Sequence, residues 1–368
     1  MFQTIITPWK NNAQAAVTLS FDGGYASCYD MTMGELCRHH MPATWFVVTG
    51  SVGALLDGRS VLSWADWFRA SQQGMEIAAH TVTHPKLALT VRGEIMKTMR
   101  DSLRRRGLGL VDARVFSKAK RVFAQARDTV ARKGRGVRWG ELLEEAIQSK
   151  RAIEEKIPFH RVTSFAYPGG RYNRPLQQRL KEAGFLSARS TEAGHNPSDI
   201  RNLYALKTRV WHAAVNTDTA NEWVVSAVKE GAWLIEVFHI ITTDGTTGYP
   251  YEAPFSSFRD HVSYIASQDV WVDTQENITK YIRQRGSGRV NVSGYADKAA
   301  TIFLHSSGAS EAGETAVTLK TRVPSHWTKV AVMQDEARQE IAVGRGQNST
   351  HVCYEAIPNG GPIALRPL

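Results

Sequence analysis

A chain of 368 residues, 42% hydrophobic and 22% charged, has the composition of an ordinary globular protein and the length for one large domain plus a smaller one. No run of 18 apolar residues occurs, which excludes a membrane-spanning helix; three cysteines without C-x-x-C spacing argue against a disulfide framework or a structural zinc site. The net charge of +10 is local: residues 101–140 hold twelve Lys or Arg against three Asp (Asp101, Asp112, Asp128), and the rest of the chain is nearly neutral.

In chain order, the first twelve residues lack the charged stretch and apolar run of a signal peptide. That places the chain as it stands in the cytoplasm, or outside it if a leader has been removed. Short apolar, β-type runs then recur at 16–21, 44–48, 76–79, 164–167, 185–188, 233–238 and 270–272. Helical stretches lie between them, at 29–39, 63–73, 174–183, 219–230 and 275–284. Apolar runs alternating with helices predict parallel strands in an α/β fold, and seven of them suggest a barrel or an open sheet. Asp22, His80, Arg189 and His239 each follow directly on a run. In α/β barrels that end of the strands is where reactive groups converge.

Residues 85–160 exceed what one crossover needs. Helices are expected at 94–106, 111–133 and 139–157, and the middle, about 102–140, reads as a basic helical insertion on the barrel. Its charge suits an anionic polymer or surface. The spacing of Phe116, Phe123 and Trp139 fits helix packing better than base stacking, which argues against nucleic acid. Beyond Arg285-Gly286-Ser287-Gly288 the period changes to two: strands are expected at 317–323, 329–332 and 340–343, with a turn at Asn359-Gly360-Gly361. The chain thus divides into a barrel, 1–287, and a small all-β, sandwich-like domain, 288–368, that gathers no catalytic residue types.

His80-Thr81-Val82-Thr83-His84 places two imidazoles four residues apart just past a strand, a spacing that suits two ligands of one metal ion. The alternative is a pair of surface or cap histidines. What favours the ligand reading is the order Leu19-Ser20-Phe21-Asp22-Gly23-Gly24-Tyr25, then His80 to His84, then Phe165-Ala166-Tyr167-Pro168-Gly169-Gly170, then Leu234 to His239. This set resembles the polysaccharide deacetylase family (NodB-homology, carbohydrate esterase 4) over about residues 15–285.

The resemblance implies a distorted (β/α)7-type barrel that removes acetyl groups from an N-acetylated amino sugar polymer or oligosaccharide with a divalent metal, zinc first, cobalt or nickel otherwise. It assigns His80 and His84 to the metal, Asp22 as general base, His239 as general acid and the Gly169 N–H as oxyanion donor. Tyr167, Arg171 and Arg189 become candidates for substrate binding or for supporting the base. Two positions depart from the family. Gly23 stands where the family has a second Asp, the third metal ligand. Ala166 stands where it has an arginine, leaving Arg171 and Arg189 to neutralise Asp22. Two rival readings follow: a catalytically impaired glycan-binding relative, and a metal-free amidohydrolase acting on a non-sugar substrate through Asp22 and His239.

Overall fold

The computed structural model describes residues 2–85, 139–243, 247–295, 298–307, 315–346 and 350–368. The basic segment at 102–138, with the helices expected at 94–106 and 111–133, lies outside the described residues.

A first strand, β1 (Gln3–Ile6), precedes a ring of seven parallel strands. These are β2 (Ala15–Asp22), β3 (Thr44–Val47), β4 (Glu76–Ala79), β5 (Ser164–Ala166), β6 (Ser187–Ala193), β7 (Leu206–Val210) and β8 (Trp233–Phe238). Each pairs with the next, and β8 returns to β2 along six residue pairs from Trp233↔Ala16 to Phe238↔Phe21, which closes the barrel. The seven-stranded α/β barrel expected from the sequence is therefore present, with one exchange of members. The run at 270–272 forms β9 (Val270–Val272), which adds to β2 outside the ring. Its place in the ring is taken by β7, whose Lys207 and Arg209 interrupt any apolar run.

Helices follow the strands on the outside: α1 (Ala26–Arg38), α2 (Trp64–Gln72), α3 (Trp139–Lys156), α4 (Arg174–Glu182), α5 (Thr217–Glu230), α6 (Phe255–Ala266) and α7 (Gln275–Ser287). Their starts are written locally. Ser63 and Asp66 form a capping box at α2, and Asn173, Asn216 and Thr274 cap α4, α5 and α7. Each strand alternates. In β2 the odd positions Ala15, Val17, Leu19 and Phe21 pack against the helices. Its even positions carry a different set inward: Ala16 into a second apolar cluster, the hydroxyl of Ser20 onto the Glu236 carbonyl, and Asp22 to the upper rim.

The barrel has a polar waist. Glu76 is 5% exposed, and its Oε2 accepts from Thr44 Oγ1 at 2.8 Å and from the Glu276 N–H, at the start of α7, at 3.0 Å. Burial first, then the charge of Glu276, pushes its carboxyl up to about 7. Beneath the waist, Trp9, Trp233, Ile235, Leu206, Ile278 and Ile282 join one cluster with Ile302, Leu304, Trp327 and Leu365 of the C-terminal strands.

Those strands form two antiparallel sheets. The four-stranded sheet holds Val317–Arg322, Gly344–Arg345 and Thr350–Ala356, and its outer member is β1, from the other end of the chain. The five-stranded sheet holds Gly288–Tyr295, Ala299–Ser306, Lys329–Gln334, Ala337–Ala342 and Ile363–Pro367. No described helix is long and apolar enough to cross a membrane. All three cysteines are free, and Cys28 is buried.

Candidate active site

At the C-terminal ends of the barrel strands the alternation that fills the interior delivers polar side chains in place of apolar ones. Asp22 is the last residue of β2, His80 follows β4, and His239 follows β8. Arg189 lies inside β6, not after it: strand pairing continues to Ala193 through an irregularity between the two residues. The apolar run ends at Ala188 because the next inward position carries a guanidinium, and the strand continues because that charge is matched.

The match is Asp22. Arg189 Nη2 donates to Asp22 Oδ1, and both side chains are buried, at 1% and 7% exposure. Arg189 is the direct cross-strand partner of Ala166. The positive charge missing from residue 166 is thus supplied from the neighbouring strand. Arg189 also lies over the Phe46 ring, 4.4 Å from its centroid. Arg171 is not among the residues lining the pocket.

Asp22 Oδ2 stands 3.7 Å from His80 Nε2 and 3.7 Å from His239 Nε2. Burial raises the carboxyl of Asp22, but Arg189 and then the histidines outweigh it and hold the group below the usual carboxylate range. His80 Nδ1 lies 2.9 Å from the Ala166 carbonyl, which can only accept, so the proton sits on Nδ1 and the Nε2 lone pair faces Asp22. Burial pushes His80 down to about 3, so it is neutral at ordinary pH. Burial also lowers His239, whose Nδ1 is buried with no hydrogen-bond partner among the described residues. The His80 and His84 rings lie 4.7 Å apart, centroid to centroid.

The donor chemistry fits a divalent ion: a neutral imidazole fixed by a carbonyl through its other nitrogen, a second imidazole beside it, and an ionised carboxylate. The number of ligands falls short of a cage, since no group of three or more His, Cys, Asp or Glu is assembled around one point among the described residues. Gly23, next to Asp22, adds no donor of its own. Its φ of 90° lies in the left-handed region, and a Cβ there would stand 2.7 Å from Tyr25 Cε2 and 3.3 Å from Leu56 Cδ2. A side chain at position 23 would first meet the Tyr25 ring.

The pocket above Asp22 has a volume of about 380 Å³. Asp22, His80, His84, His239, Gly169 and Tyr167 all line it. Tyr167 turns its hydroxyl away, to the Tyr204 carbonyl at 3.1 Å, and stacks on Tyr172. Tyr25, Asp57, Thr191, Tyr249 and Tyr251 complete the walls and were not singled out from sequence. Tyr251 packs its ring 5.2 Å from that of His239.

Comparison with known proteins gives this geometry a context. Residues 10–188 match the family model described as polysaccharide deacetylase. A gellan lyase from Bacillus sp. is 19% identical over 383 aligned positions, covering 98% of this chain, but the chain spans only 13% of that protein's length. Among solved structures, a putative polysaccharide deacetylase from Mycobacterium smegmatis is 13% identical, with 77% of this chain and 94% of that chain covered at a TM-score of 0.44. A family 4 acetyl xylan esterase from Clostridium thermocellum, in complex with cobalt, is 11% identical, covering 72% and 89% at 0.41. A Streptococcus pyogenes deacetylase in complex with acetate is 18% identical, covering 52% and 62% at 0.35.

Proposed function

Over residues 10–188 the chain belongs to the polysaccharide deacetylase family, and from that premise we propose that it hydrolyses the N-acetyl amide of an amino sugar in a polymer or oligosaccharide. The observation that carries this reading is the buried Asp22–Arg189 ion pair with two imidazole nitrogens 3.7 Å from the free carboxylate oxygen.

Each residue then has a task. Asp22, kept ionised by Arg189, takes a proton from the attacking water at Oδ2. His239, neutral at rest, receives that proton at Nε2 and delivers it to the amide nitrogen as the C–N bond breaks. A free amine and acetic acid leave, the acid losing its proton to solvent or to the amine, and Asp22 and His239 return to their starting protonation. We assign the Gly169 N–H to the developing oxyanion, since Gly169 lines the same pocket. A divalent ion held by His80 and His84, zinc first, would polarise the acetyl carbonyl and acidify water when bound. Tyr25, Tyr249 and Tyr251 offer the aromatic walls on which sugar rings pack.

The test is acetate release from N-acetylated chito-oligosaccharides with added zinc, cobalt or nickel, alongside metal analysis. One equivalent of bound metal, lost with His80→Ala, together with acetate and amine in equal amounts, supports the reading. A specific observation favours a second one, glycan binding without hydrolysis: the positive φ of Gly23 and the Tyr25 ring 2.7 Å from a would-be Cβ disfavour an acid at position 23. Oligosaccharide binding by calorimetry without acetate release, under every metal, would select it.

A further inference from the structure

The turn that presents His80 and His84 has an unusual backbone. Thr81 and His84 have φ of 68° and 52°, in the left-handed region that side-chain-bearing residues seldom adopt. Such a turn persists only where its surroundings hold it. On one side the Thr49 N–H donates to the Thr81 carbonyl at 3.1 Å and the Gly50 N–H to the Val82 carbonyl at 2.8 Å. Gly50 comes so close that a Cβ there would stand 2.6 Å from the Val82 oxygen. Within the turn, the His84 N–H donates to Thr81 Oγ1 at 3.0 Å.

The opposite side is held by one side chain from far along the sequence. Glu145 Oε2 accepts from the backbone N–H groups of Val82 at 3.1 Å and Thr83 at 2.9 Å, while its Oε1 accepts from the Thr83 hydroxyl at 2.6 Å. Helix α3 fixes the carboxylate there. Leu142, Ala146, Ser149 and Ile153 form its buried stripe, and Glu145 stands at the edge of that stripe, one turn beyond Leu142. Two successive N–H groups directed at one anion are a cradle that the peptide cannot offer in a relaxed extended form. Charge-assisted bonds of this kind are the strong ones.

We propose that Glu145 is a positioning residue for His84: by clamping the Val82–Thr83 peptide it sets where the second imidazole stands relative to His80. His80 needs no such help, because the Ala166 carbonyl already fixes its ring. The proposal rests on the reading that the two histidines act together at the site. It also makes α3, the first described element after residue 85, part of the active-site frame.

The experiment compares wild-type protein with Glu145→Ala, Glu145→Gln and Thr83→Ala, with Glu144→Ala as a control on the same helix whose carboxylate accepts from Gln148. Protein labelled with 15N at histidine reports the ring nitrogens of His80 and His84 by long-range 1H–15N spectra. Acetate release from N,N′-diacetylchitobiose is followed in parallel. In Glu145→Ala the His84 ring signals move and those of His80 stay, and turnover falls by roughly 10–100-fold, as for other residues that orient a ligand. Glu145→Gln restores both, because one amide oxygen still accepts the two N–H groups and the amide NH2 donates to Thr83 Oγ1. His84 signals unchanged in Glu145→Ala would overturn the proposal, whatever the activity. Should that variant not fold, Thr83→Ala decides: a smaller shift confined to His84 supports the clamp, and no shift overturns it. A wild-type protein that releases no acetate removes the deacetylase reading, while the histidine spectra still decide the role of Glu145.

Discussion

The two ends of the barrel solve opposite problems with the same alternating strands. At the lower end the inward positions carry Trp233, Ile235 and Leu206, which merge with the C-terminal sheets into one apolar cluster. At the upper end the equivalent positions carry Asp22, Arg189 and His80, all buried and all polar, with His239 half-buried beside them. The lower end gains stability from every side chain it buries. The upper end breaks roughly even at best, since two charges taken out of water recover their hydration loss only through one another. What the upper end gains is a carboxylate held ionised in a dry setting, and the lower end supplies the stability that tolerates it.

Five substitutions break or sharpen this contrast. The largest effect is expected for Asp22→Asn, which keeps the shape of the upper end and removes its base: acetate release should fall by about 10²–10⁴-fold, and stability should fall too, because Arg189 is left buried without its counter-charge. Acetate release measured at a temperature where circular dichroism shows the variant folded separates the two losses. Second come one substitution at each end. Trp233→Ala and Arg189→Met should each cost about 3–5 kcal/mol in denaturant unfolding, the first by leaving a cavity and the second by leaving a buried carboxylate unpaired. Only the second should alter the pH profile.

The sign of that alteration follows from Asp22. Its carboxyl lies below the ordinary range in the folded state, so its pairing stabilises the fold at neutral pH and is lost as pH falls through that low value. Without Arg189 burial is opposed only by the histidines, the carboxyl rises, and both stability and activity should begin to fail at a higher pH. Unfolding and acetate-release profiles between pH 3 and 8 check this. Glu76, at the waist between the two ends, has the opposite sign. Its carboxyl is raised to about 7 and is favoured protonated, so it destabilises the fold as pH rises. Glu76→Gln should therefore raise the thermal midpoint at pH 8 and leave it nearly unchanged at pH 5. The smallest effect is Tyr281→Phe at the lower end. Loss of the bonds from its hydroxyl to the Thr7 carbonyl and Thr7 Oγ1, both 3.1 Å, should cost about 1 kcal/mol without touching activity.

Gly23→Asp is the informative substitution at the upper end. On sequence alone it restores a missing ligand. With φ at 90° and Tyr25 against the would-be Cβ, it should lower stability and leave metal affinity unchanged unless Tyr25 is shortened as well. Isothermal titration with zinc on Gly23→Asp and on Gly23→Asp/Tyr25→Ala separates the two expectations.

How much was legible in the sequence follows from where each residue stands. Asp22, His80 and His239 end apolar runs, and a parallel barrel brings the ends of its strands together, so a pattern along the chain was enough to gather them. Strand β7 escaped because its inward Leu206, Thr208 and Val210 alternate with Lys207 and Arg209, leaving no run to find. Arg189 was placed after its strand because the apolar run stops there, whereas its charge is satisfied across the barrel by a residue far earlier in the chain. Glu145 left no trace at all: its partners are backbone N–H groups 62 and 63 residues away, and peptide groups have no sequence signature.

The pairing of β1 with Val317–Arg322 has a consequence for how the chain comes to be folded. Thr4 and Thr321 share a hydroxyl contact across 317 positions. During synthesis this strand emerges with its edge open and stays unpaired until Val317–Arg322 has followed it. The strand pairings of the ring, β2 to β8, are complete in sequence by Phe238. The four-stranded sheet is therefore completed after the pairings of the ring, by two segments 317 positions apart. A protein truncated before residue 317 should expose β1 as a free edge and self-associate, even where its barrel and its pocket are intact.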